Sequence, residues 1–175
     1  MLETDRLILR AWKESDASEC YKYAKDPKVG PIAGWAPHAS IENSKQIIKD
    51  YLMIPETYAI VLKETNSVIG SVALLTNSTL AKGGNEVELG YWVGVPHWNN
   101  GYATEAAKEL LKHAFDDLKV ESVVAGYYEG NNQSKRVLEK LGFRFIDEKK
   151  LVDVPQLKEK RLGYLGYISK EDWIK

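Results

Sequence analysis

Apolar and polar positions alternate along the chain in two distinct periods. Arg6-Leu7-Ile8-Leu9-Arg10-Ala11-Trp12 reads as a strand. Ser15 and Asp16 then offer N-caps for a short helix through Ala24, which Asp26-Pro27 stops. Gly30 to Pro37 reads as loop, because Pro27, Pro31, Pro37 and Gly34 punctuate it. Ser40 caps a second helix in which Ile41, Ile47, Ile48, Tyr51 and Leu52 keep helical spacing. Thr57 to Leu62 and Val68 to Leu75 read as strands joined by the polar turn Glu64-Thr65-Asn66-Ser67. After a polar loop from Thr76 to Gly84, Glu86-Val87-Glu88-Leu89-Gly90-Tyr91-Trp92-Val93 alternates as a strand.

The clearest helix follows Gly101. Ala103, Ala106, Ala107, Leu110, Leu111, Ala114, Phe115 and Leu118 form one apolar stripe, opposite Glu105, Lys108, Glu109 and Lys112. Val120 to Tyr127 is a strand, Gln133 to Leu141 a helix stopped by Gly142, and Phe143 to Ile146 and Leu162 to Ile168 are closing strands. The pattern predicts one α/β domain over residues 1–175, with no internal repeat or flexible linker.

Composition narrows the function classes. With 44% hydrophobic, 28% charged and 10% aromatic residues, the chain is ordinary globular material. No apolar run approaches the ~20 residues that span a bilayer, and the first residues lack the layout of a signal peptide. Twenty-four Lys and Arg against 25 Asp and Glu leave a net charge of −1, which gives no electrostatic footprint for nucleic acid or membrane. The single cysteine, Cys20, excludes an internal disulfide and a multi-thiolate metal site. His38, His97 and His113 match no ligand spacing, so no metal is expected. The cytoplasm is the expected compartment.

Chemistry concentrates where the strand ending at Val93 passes through Gly94-Val95-Pro96-His97-Trp98-Asn99-Asn100-Gly101 into the long helix. The first N–H groups of a helix have no internal partners and lie at the positive end of its dipole, which makes an anion site. Tyr102 follows Gly101 where a nucleotide triphosphate loop needs Lys, and the three spaced glycines of a dinucleotide fingerprint are absent. A plain strand-to-helix turn reads equally well from these residues alone.

Trp98-Asn99-Asn100-Gly101-Tyr102-Ala103-Thr104-Glu105-Ala106 resembles the acyl-CoA pyrophosphate loop of the GNAT superfamily of N-acetyltransferases. Trp98 stands where the usual pattern has Gln or Arg. That substitution is similar to the branch containing ribosomal-protein alanine N-acetyltransferases. So are Glu88-Leu89-Gly90-Tyr91-Trp92, the run from Asn131 to Phe143, and the opening Glu3-Thr4-Asp5-Arg6-Leu7-Ile8-Leu9-Arg10. The resemblance spans residues 2 to about 147 with the order of motifs intact.

It implies a mixed, mostly antiparallel sheet, splayed at the centre after the Glu86–Val93 strand and flanked by helices, with Gly90 and Gly94 bending that strand. It implies acetyl-CoA as cosubstrate. Trp92, Val93 and Val95 would offer backbone groups to the pantetheine arm, Asn99, Asn100, Gly101, Tyr102, Ala103 and Thr104 would cradle the pyrophosphate, and Asn131 would bond the pantetheine. Lys135 and Arg136 fit either CoA phosphates or a solvated helix face.

The implied reaction is direct attack of an amine on the thioester. Glu88 is the candidate base, or else a carboxylate paired with a basic side chain. Many family members carry a tyrosine acid where this chain has Leu138. The branch has a serine matching Ser134, which fits an acid role and equally a helix cap. Backbone N–H groups near Trp92 or Val93 would meet the oxyanion. Tyr127 and Tyr128 are expected to be buried strand residues. Trp35 either walls the acceptor pocket or anchors its loop, His38 is expected at the surface, and Cys20 reads as a small core residue.

The expected acceptor is a protein N-terminal amine, with a small-molecule amine (polyamine, amino sugar or antibiotic) as the alternative. A CoA-binding module without catalysis is the competing class. The branch also suggests a homodimer using an edge strand near Leu162 to Ile168.

Overall fold

The computed structural model describes residues 1–146 and 149–173; Asp147, at the end of the motif resemblance, lies outside them. Among the described residues nine strands form a single sheet. In chain order they are β1 (Leu2–Glu3), β2 (Leu7–Ala11), β3 (Thr57–Leu62), β4 (Ser67–Leu75), β5 (Glu86–Val93), β6 (Ser122–Tyr128), β7 (Arg144–Phe145), β8 (Lys150–Val154) and β9 (Glu159–Ser169). The helices are α1 (Ala17–Ala24), α2 (Gly30–Ala33), α3 (Ile41–Ile47), α4 (Tyr102–Asp116), α5 (Asn132–Lys140) and α6 (Lys170–Trp173). Strands run β1-β2-β3-β4-β5-β6-β9-β7, with β8 added to β9. All pairs are antiparallel except β5 with β6.

That parallel pair splits the sheet. β5 and β6 pair only at Glu86↔Ser122, Val87↔Val123 and Glu88↔Val124. Beyond Glu88, β5 stays with β4 up to Gly70↔Val93, while β6 stays with β9 up to Tyr128↔Gly163. The wedge between them opens towards the N-terminus of α4. No bulge interrupts β5 at Gly90: its register with β4 is unbroken from Glu88 to Val93. Gly94 is small for a different reason, since a Cβ there would come within 2.5 Å of the Tyr23 ring.

Two apolar clusters hold the two faces. The larger joins the β-sheet to α4 and α5 through Leu7, Leu9, Val87, Leu89, Leu110, Leu111, Phe115 and Leu138. Burying an aliphatic side chain of this size contributes about 1.5–3 kcal/mol. The smaller lies under α1 and α3 and contains Trp12, Cys20, Ala24, Ile48, Ala59 and Val61. Cys20 is thus a core residue, and burial pushes its thiol up to about 12. No helix among the described residues is long and apolar enough to cross a membrane.

Several expectations are corrected. Gly30 to Pro37 is not all loop. Pro31 sits in the first turn of α2, where its missing N–H costs nothing, and Gly34 stops that turn with φ 96°. The second helix changes pitch: α3 passes into a π-helical turn at Ile48–Leu52, which swings Tyr51 and Leu52 towards the split. Asp16 does not cap α1. Its carboxylate accepts from Arg10 at both oxygens, 2.7 and 2.9 Å, and from the Lys13 N–H. β9 is not an edge strand. β6 covers one side of it and β7 and β8 the other, so Leu162 to Ile168 offers no free edge to a second copy. His38 is buried, 8% exposed, with Nδ1 2.7 Å from Ser44 Oγ.

Candidate active site

A cleft runs through the split in the sheet and has two halves. One lies along the start of α4 and the flank of α5, lined by Val93, Trp98, Asn99, Tyr102, Thr104 and Arg136 among others. The other lies over the opposite face of β3, β4 and β5, where Trp35, Thr57, Glu88, Gly90 and Tyr127 take part. Ile32, Ala33, Tyr91, Trp92, Asn131 and Ser134 border both halves, so the passage between them runs through these six residues.

Local sequence builds the first half. Asn99 and Gly101 both adopt left-handed backbone, φ 62° and 81°, on either side of Asn100. This pair turns the chain so that the first N–H groups of α4 face the cleft, and no side chain caps them. Such a terminus attracts an anion, and Ala103 keeps the approach open. The loop is held from both ends. The Trp98 indole donates to the Val93 carbonyl at 2.7 Å. On the far side Arg6 donates to the Asn100 carbonyl at 3.0 Å and to Glu105 Oε2 at 2.7 Å, and its guanidinium lies 4.5 Å from the Tyr102 ring centre. Thr4 also donates to Glu105. These bonds hold the Glu105 carboxyl below its ordinary value against the opposing effect of burial. The arginine thereby neutralises a carboxylate that would repel a phosphate. An uncapped helix start with a neutralised neighbour fits the diphosphate of CoA.

The expected cofactor residues mostly gather here. Trp92, Val93, Asn99, Gly101, Tyr102, Ala103, Thr104 and Asn131 line this half, whereas Val95 and Asn100 do not. Val95 lies in the 3-10 turn beyond β5, its carbonyl taken by the Trp98 N–H, and Asn100 turns its carbonyl to Arg6. Asn131 caps α5 by accepting from the Ser134 N–H at 3.1 Å and donates to the Ile32 carbonyl at 3.4 Å. One amide proton remains for the cleft. Arg136 lines the cleft, while Lys135 pairs with Glu139.

Glu88 lies in the second half, where alternation along β5 puts it on the same face as Gly90 and Trp92. Burial pushes its carboxyl above the ordinary value, and a hydrogen bond from Ser78 opposes that. No basic side chain forms a salt bridge with Glu88 among the described residues. Ser134, in the first turn of α5, meets Tyr91: the phenol lies 2.9 Å from Ser134 Oγ and 3.1 Å from its carbonyl. Burial holds the Tyr91 phenol well above its ordinary value, with the Ser134 bond opposing. The hydroxyl therefore stays protonated.

Trp35 is a wall. It packs edge-on against Trp92, ring centres 5.9 Å apart, and Trp92 stacks on Trp12 at 6.4 Å. Tyr127 and Tyr128 are half-buried and line the cleft, and Tyr127 also packs against the larger apolar cluster. Pairing with Ser134, the Arg6 clamp and the hydroxyl of Thr57 were not legible as site features. Each depends on residues brought together across tens of positions, and only the recurrence of Arg6 in the opening motif hinted at one of them.

An acetyltransferase (GNAT) domain model matches residues 6–144. The N-acetyltransferase p20 of Bacillus licheniformis is 28% identical over 148 residues, 82% of each chain. A GNAT-family acetyltransferase structure from Bacillus anthracis superposes with TM-score 0.84 at 23% identity, covering 97% of this chain and 98% of that one. The ribosomal-protein-S5-alanine acetyltransferase of Vibrio fischeri superposes with TM-score 0.71 at 20% identity, covering 98% and 97%. The split sheet, the uncapped helix start and a family match over most of the chain agree, and the chain belongs to the GNAT acetyltransferases.

Proposed function

We propose that the chain acts as one acetyltransferase domain that moves the acetyl group of acetyl-CoA to a primary amine, expected to be a protein N-terminal amine. The observation that carries this reading is the meeting of the two cleft halves at Ile32, Ala33, Tyr91, Trp92, Asn131 and Ser134. A thioester in one half reaches an amine in the other only there. The protein acceptor rests on the motif resemblance. The single carboxylate lining the second half gives little support to a polyamine, whose further ammonium groups would lack partners. The lone, buried cysteine suits the cytoplasm.

Acetyl-CoA supplies an activated acyl carbon and a thiolate leaving group. Glu88 takes a proton from the ammonium, directly or through water, because only the free base has a lone pair to give. The amine nitrogen forms the C–N bond, and a backbone N–H near Trp92 or Val93 meets the oxyanion. As the C–S bond breaks, Ser134 Oγ gives its proton to sulfur, while the Tyr91 hydroxyl, 2.9 Å from Oγ and donating to the Ser134 carbonyl, holds the serine in place. The second proton of the amine nitrogen restores Ser134. Net, one ammonium and one thioester become an amide, a thiol and a proton.

The test is thermal unfolding with and without acetyl-CoA, followed by thiol release over amine acceptors. Ligand at a hundred times its Kd stabilises the native state by about 2.7 kcal/mol. A shift with acetyl-CoA and not with ATP or NAD, plus amine-dependent thiol release, is the expected result. A shift without turnover of any amine favours the CoA-binding module, and no shift removes the reading.

A further inference from the structure

The acceptor half of the cleft has a floor of unusual shape. Thr57 on β3 pairs with Ala73 on β4, and Ala73 pairs with Gly90 on β5. These three small residues form one cross-strand row on the cleft face, all lining the same cavity. A Cβ built on Gly90 meets no heavy atom within 4 Å, so the space above the row is open. At the far end of the row, Thr57 Oγ1 is buried and has no hydrogen-bond partner, and Thr57 itself is 4% exposed. It is the one such side-chain atom among the described residues. A buried hydroxyl left unpaired costs free energy unless a ligand completes it.

The walls are aromatic. Trp35 and Trp92 stand at one end and Tyr127, stacked on Tyr164 at 5.0 Å, at another. Glu88 is the sole charged side chain in the lining. The Trp92 ring stacks on Trp12 and meets Trp35 edge to face. From Gly90 to Thr57 the row crosses two inter-strand spacings, about 10 Å.

Resting on the acetyl-transfer reading, we infer that the acceptor is an amine carried on a flat, uncharged aromatic body. The body lies over Gly90 and Ala73, the amine faces Glu88, and a polar group at the opposite end bonds Thr57 Oγ1. The same chemistry arises in a free arylalkylamine carrying a ring hydroxyl and in a protein whose first residue is aromatic.

The experiment measures kcat/KM for tyramine, phenethylamine, spermidine, and short peptides beginning with Tyr, Ala or Lys, in the parent chain, G90V and T57V. The parent should acetylate tyramine or the Tyr-first peptide at least tenfold more efficiently than spermidine or the Lys-first peptide. Tyramine alone identifies the free amine as the source, and the Tyr-first peptide alone identifies a protein terminus. G90V fills the open space and should lower aromatic turnover tenfold or more with the acetyl-CoA KM unchanged. T57V should unfold at the same or a higher temperature, yet raise KM for the hydroxylated acceptor and erase its advantage over the unhydroxylated one. A merely structural threonine would not move that ratio. Equal or better use of spermidine, undiminished aromatic turnover in G90V, or turnover of none of these amines by a chain that binds acetyl-CoA overturns the inference. Failure to bind acetyl-CoA instead overturns the reading beneath it.

Discussion

The Tyr91 phenol and Ser134 Oγ lie 2.9 Å apart across the gap where β5 and β6 have parted. One residue comes from the strand and the other from the first turn of α5, so this bond spans the split that admits substrate. With Tyr91 holding Ser134 in place, the two act as one unit. Tyr91→Phe and Ser134→Ala should each lower kcat by about tenfold to a hundredfold. That is the low end of the range for general acids, because a thiol is already a fair leaving group. The double variant should be no worse than the poorer single one. Steady-state kinetics on the three variants, with acetyl-CoA affinity measured separately, checks this.

Glu88 carries opposite signs for activity and stability. Burial raises its carboxyl pKa in the folded chain. A base must be ionised, so kcat should rise with pH through that raised value, and Glu88→Gln should lose this acid limb and most turnover while keeping acetyl-CoA affinity. For stability, a raised folded-state pKa favours the fold below it, and ionisation above it weakens the fold. Glu88→Gln should therefore melt at the same or a higher temperature than the parent at neutral pH. A pH–rate profile and a thermal melt on one variant read both effects. Unchanged turnover would remove Glu88 from the mechanism.

Arg6 acts on the cofactor half from 94 residues away. Losing a charged hydrogen bond costs about 1.5–3 kcal/mol. Arg6→Ala should raise the acetyl-CoA KM roughly tenfold or more with a smaller change in kcat, since both the loop's anchor and the screen over Glu105 disappear. Arg6→Lys restores charge without the fork and should recover only part of the loss. Equal loss in kcat would point to the chemistry rather than to cofactor binding.

His38 makes stability depend on pH. Burial lowers its pKa below the ordinary ~6.5. Neutral imidazole is present in both states at high pH. As pH falls below the unfolded value, the unfolded chain binds the proton first and the fold loses stability until the folded-state value is passed. Thermal melts from pH 8 to 5 should show a decline that is smaller in His38→Asn. Because His38 Nδ1 meets Ser44 and its ring packs against Trp35, ring centres 5.5 Å apart, the decline should begin in the acceptor wall.

The strand and helix order was legible because strong periodicity and short polar turns leave few alternatives. Leu110 and Phe115 declared the buried face of α4 before any contact was known. The β8–β9 hairpin was not legible. Its strand β8 leaves Leu151 63% exposed and puts Lys150 and Asp153 among its five positions, so no apolar alternation marks it. For the site, the loop from Trp98 to Thr104 was readable since its function lies in consecutive backbone groups. The Tyr91–Ser134 bond and the unpaired Thr57 hydroxyl were not, because sequence separation conceals which faces the split turns towards each other. His38 misled for the same reason: a histidine beside Pro37 in a loop looks exposed until α1 and α3 close over it.

The two apolar clusters divide the labour of inheritance. On the proposed reading, the one beneath α4 backs the cofactor half, and the one beneath α1 and α3, against which Trp35, Leu52 and Trp92 pack, backs the acceptor half. Substitutions in the second can drift while the first stays constant. A lineage built this way can explore new acceptors one tryptophan or tyrosine at a time without forfeiting its grip on the donor.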